Sequence, residues 1–425
     1  MDIQLNIKQL KKSNSTDLSN FNLKTKMKKN FKYFMMLAVF AVGFASCSSD
    51  DDHTDGGGVV TKEPKSVKLR FTSKKINTYA EEGGVSGDTP DIYDGKVYFI
   101  NGNAETSIIL SEGDFSTTEI AAGDHLTGKT FQNVNGQATH VYIVSNIAAP
   151  HATITTLPTT AIGTTLGDLK KSLMEIDNQT NAITDITLHG IGAITGAAGS
   201  QEANVSVGPA VSRIEIKELK PKTVAQGAQF EVTAYTLQGI FVNNTYAKLG
   251  LDHTTTPVSP ANGVDLVNFG QSDNAMFTAG YNGLSARLFD FNDSGLGTQT
   301  GVSTKPTIAN GTWAYNVFPA TVGTILNGNS TAENAAPKLV LVVDGVTSSP
   351  AATYDSPCYL NVNKFVLTSD GSEVTAFEEG NVYMIDEILF AGEDLSGEPT
   401  VSNRTDIIVK ITVKPWTGVS IQPEL

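Results

Sequence analysis

Cysteine is nearly missing from this chain. Cys47 and Cys358 are the only two in 425 residues, so no disulfide framework can hold the fold if Cys47 is otherwise modified. Nothing pairs Cys358 with a histidine, and it reads as a small core residue rather than a catalytic thiol. Positive charge is also short: 30 Lys and Arg face 44 Asp and Glu, for a net charge of −14 with no basic tract to offset it. Like charges repel, which excludes nucleic-acid backbones and anionic lipid as partners. The apolar run Phe34 to Ala45 is too short for a comfortable transmembrane helix.

Chemistry-bearing motifs are equally scarce. The six histidines show no H-E-x-x-H spacing and no paired cysteines, so no zinc site is readable and no cofactor is expected. Nothing resembles G-x-S-x-G, and acid pairs such as Glu81 with Glu82 or Glu378 with Glu379 read as solvated loop charge. No catalytic constellation emerges, and the chain is not expected to be an enzyme.

Two stretches imitate ligand motifs. Gly123 to Thr130, GDHLTGKT, matches G-x-x-x-x-G-K-T, but a phosphate loop needs a buried strand before it and a helix N-terminus after it. The turn residues Asn135 and Gly136 follow instead, so the match reads as coincidence. Asp290, Asn292, Ser294 and Gly295 resemble half of a calcium loop, yet Gly301 stands where a bidentate Glu is required, and an ordinary turn is expected.

What the chain does have is glycine, 39 residues, with frequent Thr, Val and Asn, a mixture that points to many short strands and turns. A mostly β fold is expected, and the length suggests about two or three domains. Strands are predicted at Lys96–Asn101, Thr106–Leu110, His140–Asn146, Ala182–Leu188, Ala203–Val207 and Ser212–Leu219. Further strands are predicted at Gly239–Val242, Val264–Phe269, Trp313–Phe318, Lys338–Val343, Cys358–Leu367 and Asn381–Ala391. Leu166, Leu169, Leu173 and Ile176 form one apolar stripe, which predicts a short helix within Gly163–Asn178. Lys220 to Gly227 breaks the pattern and is the expected boundary between 64–222 and 223–425.

The N-terminal stretch reads as an address. Met27 begins a basic flank, then come the apolar run, small residues and Cys47, a secretory signal with a lipobox-like end. Met27 is the preferred start, with 1–26 a possible extension of the reading frame. Ser48, Ser49, Asp50, Asp51 and Asp52 resemble the acidic surface-export signal of lipoproteins, so 1–52 is expected to be signal and spacer. Residues 53–63, with Gly56 to Gly58, form a flexible tether.

Two stretches then frame everything between them. In Pro64–Tyr79 the apolar Val67, Leu69 and Phe71 alternate with Lys68, Arg70 and Thr72, a strand with one buried face. Ser73 to Asn77 follows as a polar loop carrying Lys74 and Lys75, where a protease could detach the strand. At the other end, Ile407, Val409, Ile411 and Val413 alternate with Ile408, Lys410, Thr412 and Lys414, and after Pro415 and Trp416 a second alternation puts Val419 and Ile421 on one side. Such a strand is either the last strand of its own core or, with edges no following element covers, a template for pairing with another chain.

In order along the chain, these features resemble the fimbrillins, subunits of the type V pili of Gram-negative anaerobes. The lipoprotein start, Val67 to Phe71, Thr130 to Asn146, Leu166 to Asn178, Leu188 to Gly190, Pro209 to Ile216, Gly380 to Ile388 and the closing Val409 to Ile421 carry the resemblance. It implies two β-sandwich-like, transthyretin-like domains in tandem, with one short helix in the first. It also implies a lipid on Cys47, an outer-membrane precursor, and a trypsin-like protease that removes the first strand. A C-terminal strand of another fimbrial subunit, Ile407 to Ile421 here, then fills the groove. The family's cut normally follows an Arg in the loop, whereas here Arg70 lies inside the strand and Lys74 and Lys75 occupy the loop. Either a Lys-accepting protease cuts there, or the strand stays and the chain is an anchoring or terminal subunit. The competing class is a surface glycan-binding lipoprotein of a nutrient-uptake system. Its aromatic platform would have to come from Trp313 and tyrosines.

Overall fold

Alternation and short apolar runs become strands wherever the chain finds partners for them. The computed structural model describes 62–69, 92–116, 129–148, 156–179, 186–253, 312–321, 337–398 and 408–415 apart from scattered single positions, with short pieces at 154, 266–267, 289–291, 298–299, 301 and 419–420. The result is mostly β, with many sheets.

The N-terminal elements are β1 (Lys65–Leu69), β2 (Asp94–Ile100), β3 (Ile109–Ser116), β4 (Lys129–Val134), β5 (His140–Ser145), α1 (Leu166–Lys170), β6 (Leu173–Glu175), β7 (Leu188–Thr195), β8 (Gln201–Ala203) and β9 (Ser206–Pro209). Their sheet runs β3-β2-β5-β7-β8-β1-β4, with β9 joined to β7 and the C-terminal Val419–Ser420 joined to β9. Its middle strands explain the continuous apolar runs: Val97 to Ile100 and Val141 to Val144 are all at most 1% exposed, buried on both faces. Gly113 lets the Phe131 ring cross the sheet, since a Cβ there would stand 2.6 Å from Phe131 Cε1.

The helix is shorter than the apolar stripe predicts. Thr165 caps α1, its hydroxyl accepting from the Asp168 N–H at 3.0 Å, but the helix ends at Lys170. Leu173–Glu175 instead pairs antiparallel with Lys248–Gly250, and Ile176–Asn178 forms a 3-10 turn. Met174, off the stripe, is fully buried while Leu173 is only half-buried, so a strand partner distant in sequence has overridden the local period.

Further on, β10 (Ser212–Ile216) is buried at all five positions between antiparallel Trp313–Val317 and parallel Asn381–Ile385. β11 (Leu219–Pro221) runs parallel to Ile388–Phe390. The 13-residue β12 (Glu231–Asn243) pairs with Lys338–Ser349, which pairs in turn with Cys358–Val362. β9 thus belongs to the N-terminal sheet and β10 to a different one. Lys129 and Thr130 of the nucleotide-like motif open β4, a strand where a phosphate loop requires a helix; Gly123 to Gly128 lie outside the described residues. Cys358 is 1% exposed, and burial, followed by the nearby Asp355 and Asp344 charges, pushes its thiol up to about 11.

Candidate functional site

The first strand is not an edge. β1 lies antiparallel to β4, with Val67 opposite Phe131, Lys68 opposite Thr130 and Leu69 opposite Lys129. On its other side it runs parallel to β8, with Val67 beside Gln201 and Leu69 beside Ala203. Val67 and Leu69 are both 0% exposed, whereas Lys68 points to the half-exposed side. The start of the strand is pinned by polar contacts: Lys65 Nζ donates to the Ala138 carbonyl at 2.5 Å, and the Ser66 hydroxyl to Gln132 Oε1. Below it, Phe131 meets Phe99 edge-on at 5.5 Å between ring centroids and carries Lys129 Nζ 5.2 Å over its ring.

Removing such a strand would expose an apolar slot and two rows of backbone groups. Burying Val67 and Leu69 is worth roughly 3 to 6 kcal/mol at about 1.5 to 3 each, a large part of a domain's usual 5 to 15. Unpaired backbone on both walls adds to the drive to refill the slot. Arg70, Phe71, Lys74 and Lys75, the expected cut region, lie outside the described residues, as does the expected lipidation site Cys47.

The C-terminal strand, Ile408–Pro415, is placed in its own sheet. Its first half runs parallel to Lys364–Leu367 and its second half antiparallel to Asn381–Ile385. Val409 and Ile411 are 2% and 0% exposed, and the Val413 backbone pairs with Tyr383. Val419 pairs with Val207 of β9. Ile407, Trp416 and Ile421 lie outside the described residues. Each neighbour of Ile408–Pro415 pairs with only about half of it, whereas β4 follows β1 along its length.

Trp313 and several of the tyrosines expected to offer a sugar platform are turned inward. Trp313 is fully buried inside its strand, and Tyr98, Tyr142, Tyr235, Tyr315 and Tyr359 are fully buried side chains as well.

The fold also gathers a cluster that spacing does not reveal. His189 on β7, His253 after Lys248–Gly250, and Glu379 ahead of Asn381–Ile385 converge, with Glu379 an exposed loop carboxylate, as the sequence suggests, that also meets both imidazoles. Glu379 Oε2 lies 3.0 Å from His189 Nε2 and 2.7 Å from His253 Nε2. Burial acts to raise the Glu379 pKa, but the two imidazoles outweigh it and bring the carboxyl down to about 2.

No protein-family model matches the chain, and no curated protein matches it in sequence. Solved structures do. The chain is similar in fold to a protein assigned to cell adhesion from Parabacteroides distasonis ATCC 8503, at 13% identity and a TM-score of 0.50, over 84% of this chain and 100% of that one. A fimbrilin from Porphyromonas gingivalis W83 matches at 10% identity and a TM-score of 0.49, over 84% of this chain and 99% of that one. A fimbrial assembly protein from Parabacteroides distasonis ATCC 8503 matches at 12% identity and a TM-score of 0.37, covering 84% and 98%. The multi-sheet β fold described above is therefore similar to that of the first of these Parabacteroides distasonis proteins.

Proposed function

We propose that the chain is a structural subunit of a cell-surface fimbria, exported as a lipoprotein through Cys47 and joined to its neighbours by strand exchange. The observation that carries the reading is the seating of β1: a short strand, parallel to one neighbour and antiparallel to the other, with Val67 and Leu69 fully buried. A trypsin-like protease cutting after Lys74 or Lys75 detaches it. The replacement comes from a second copy. Val409-Lys410-Ile411 repeats the pattern of Val67-Lys68-Leu69, and Val413 follows Ile411 in the sequence as Phe71 follows Leu69. Val409 and Ile411 already form the buried side in their own sheet, so the same face can fill the slot.

Main-chain pairing supplies affinity and the alternate side chains supply register, as in other strand-addition interfaces. Slot and filler are unlike surfaces, so the contact is head to tail and need not close, which yields a filament. The two expected domains, 64–222 and 223–425, then contribute the slot and the filler respectively. The full burial of Trp313 supports this reading over glycan binding.

Limited digestion of the intact chain with a trypsin-like protease, followed by N-terminal sequencing and size analysis, tests the function. Cleavage at Lys74 or Lys75, loss of β1 and growth of long polymers are expected. A cleaved chain that stays monomeric at high concentration contradicts strand exchange.

A further inference from the structure

We propose that His189, His253 and Glu379 form a binding site for one divalent transition-metal ion of the zinc type. Three donor atoms, the His Nε2 or Nδ1 of each ring and a carboxylate oxygen, lie within 4.8 Å of one another. Two nitrogens and one carboxylate oxygen are a donor set that zinc takes readily, leaving an open position for water or another ligand. Bonds of about 2.0 to 2.2 Å in a tetrahedron put donors roughly 3.3 Å apart. The two nitrogen-to-oxygen separations, 3.0 and 2.7 Å, are already at that scale, so side-chain rotation alone can open the site around an ion.

Two further observations show how His253 is held at the cluster. His253 Nε2 is a buried atom and lies 2.7 Å from Glu379 Oε2. His253 also holds a φ of 57°, a left-handed conformation that His, like Asn and Asp, adopts more readily than most other non-glycine residues. The turn after Lys248–Gly250 thus carries an imidazole to the Glu379 carboxylate.

Behind His189 the second ring nitrogen is already occupied. Its Nδ1 lies 3.0 Å from the Tyr142 hydroxyl, on a side chain 1% exposed. With Nδ1–H donating to that oxygen, Nε2 is left as the lone-pair nitrogen facing Glu379, the orienting contact that ligating histidines usually have. The two imidazole planes are 82° apart at 6.4 Å between centroids, so their nitrogens approach a shared centre from different directions. An ion at this place would join three stretches far apart in sequence, β7, the turn after Lys248–Gly250, and the turn before Asn381–Ile385.

The test uses the full-length chain without a histidine tag and zinc ion alone, titrated by calorimetry and checked by metal analysis after dialysis. One equivalent of zinc per chain is expected. Glu379→Gln and His189→Gln each remove it, and Tyr142→Phe weakens it about tenfold. His253→Asn, which tolerates the left-handed backbone and so preserves folding, also loses binding. Cobalt(II) in place of zinc should give the intense visible bands of a four-coordinate site in wild type and none in these variants. A wild-type chain that takes up no zinc, or variants that bind it as wild type does, overturns the proposal.

Discussion

Gly136 lies directly against the Glu63 carbonyl at the lead-in to β1: a methyl group on Gly136 would collide with that oxygen and stand 2.7 Å from Lys62 Cβ. The Asn135–Gly136 turn therefore does more than reverse the chain, because it forms the rest on which the first strand enters its slot. Gly136→Ala is expected to lower stability by about 1 to 3 kcal/mol through overpacking. Urea unfolding measures this, and the variant should also lose β1 to protease faster than wild type.

Truncating the strand's own buried face should be costlier. Leu69→Ala is expected to destabilise by about 2 to 5 kcal/mol, whereas Lys68→Ala on the outer face should stay within about 0.5. Unfolding midpoints of the two variants check the contrast. Equal effects would mean that the buried face does not hold β1.

Much of this strand was legible beforehand, because Val67 and Leu69 alternate with polar residues and the period of two has one reading. Its parallel neighbour β8 was not, since Gln201–Ala203 joins it from a distant part of the chain and carries no local mark of that pairing. β12 shows another way in which pattern fails. Register shifts between Val232 and Ala234, Ala234 and Thr236, and Leu237 and Gly239 break the alternation, so only Gly239–Val242 of a 13-residue strand stands out. The short helix was overread for the reason seen at Met174. His189 and Glu379 are separated by 190 positions and meet only through folding, so no spacing rule could have paired them.

Inside β10 the fold buries charge. Arg213 and Glu215 are 0% and 2% exposed, with Arg213 Nε donating to Glu215 Oε1 at 2.7 Å and Nη1 to Asn316 Oδ1 at 3.2 Å. Arg213→Met breaks the pair and is expected to cost about 3 to 5 kcal/mol, while the double variant Arg213→Met, Glu215→Leu should recover much of it. A double-mutant cycle by chemical denaturation reads the coupling.

Acid should loosen a second clamp. Burial works against the charge of Glu393, but its carboxylate accepts the Gln229 N–H at 2.7 Å and the Phe230 N–H at 3.0 Å, and with the Lys222 charge nearby its pKa lies below the usual 4.5. A lowered carboxyl pKa stabilises the fold above the unfolded value and loses that contribution as pH falls through the folded one. Glu393→Gln is therefore expected to be less stable than wild type at pH 7, with the gap narrowing below about pH 4.5. Denaturation midpoints at the two pH values measure it.

The exchange of β1 for a second copy's Ile408–Pro415 is tested most directly by cross-linking across the proposed register. If Val409 takes the place of Val67, then Lys410 takes that of Lys68, which lies opposite Thr130 on β4. In the uncut chain Lys410 and Thr130 belong to different sheets. A Thr130→Cys, Lys410→Cys variant in a Cys47→Ser background, digested with a trypsin-like protease and oxidised, should give disulfide-linked dimers and longer ladders through these two positions. Polymers that form without this link, or a link confined within single chains, would contradict the account.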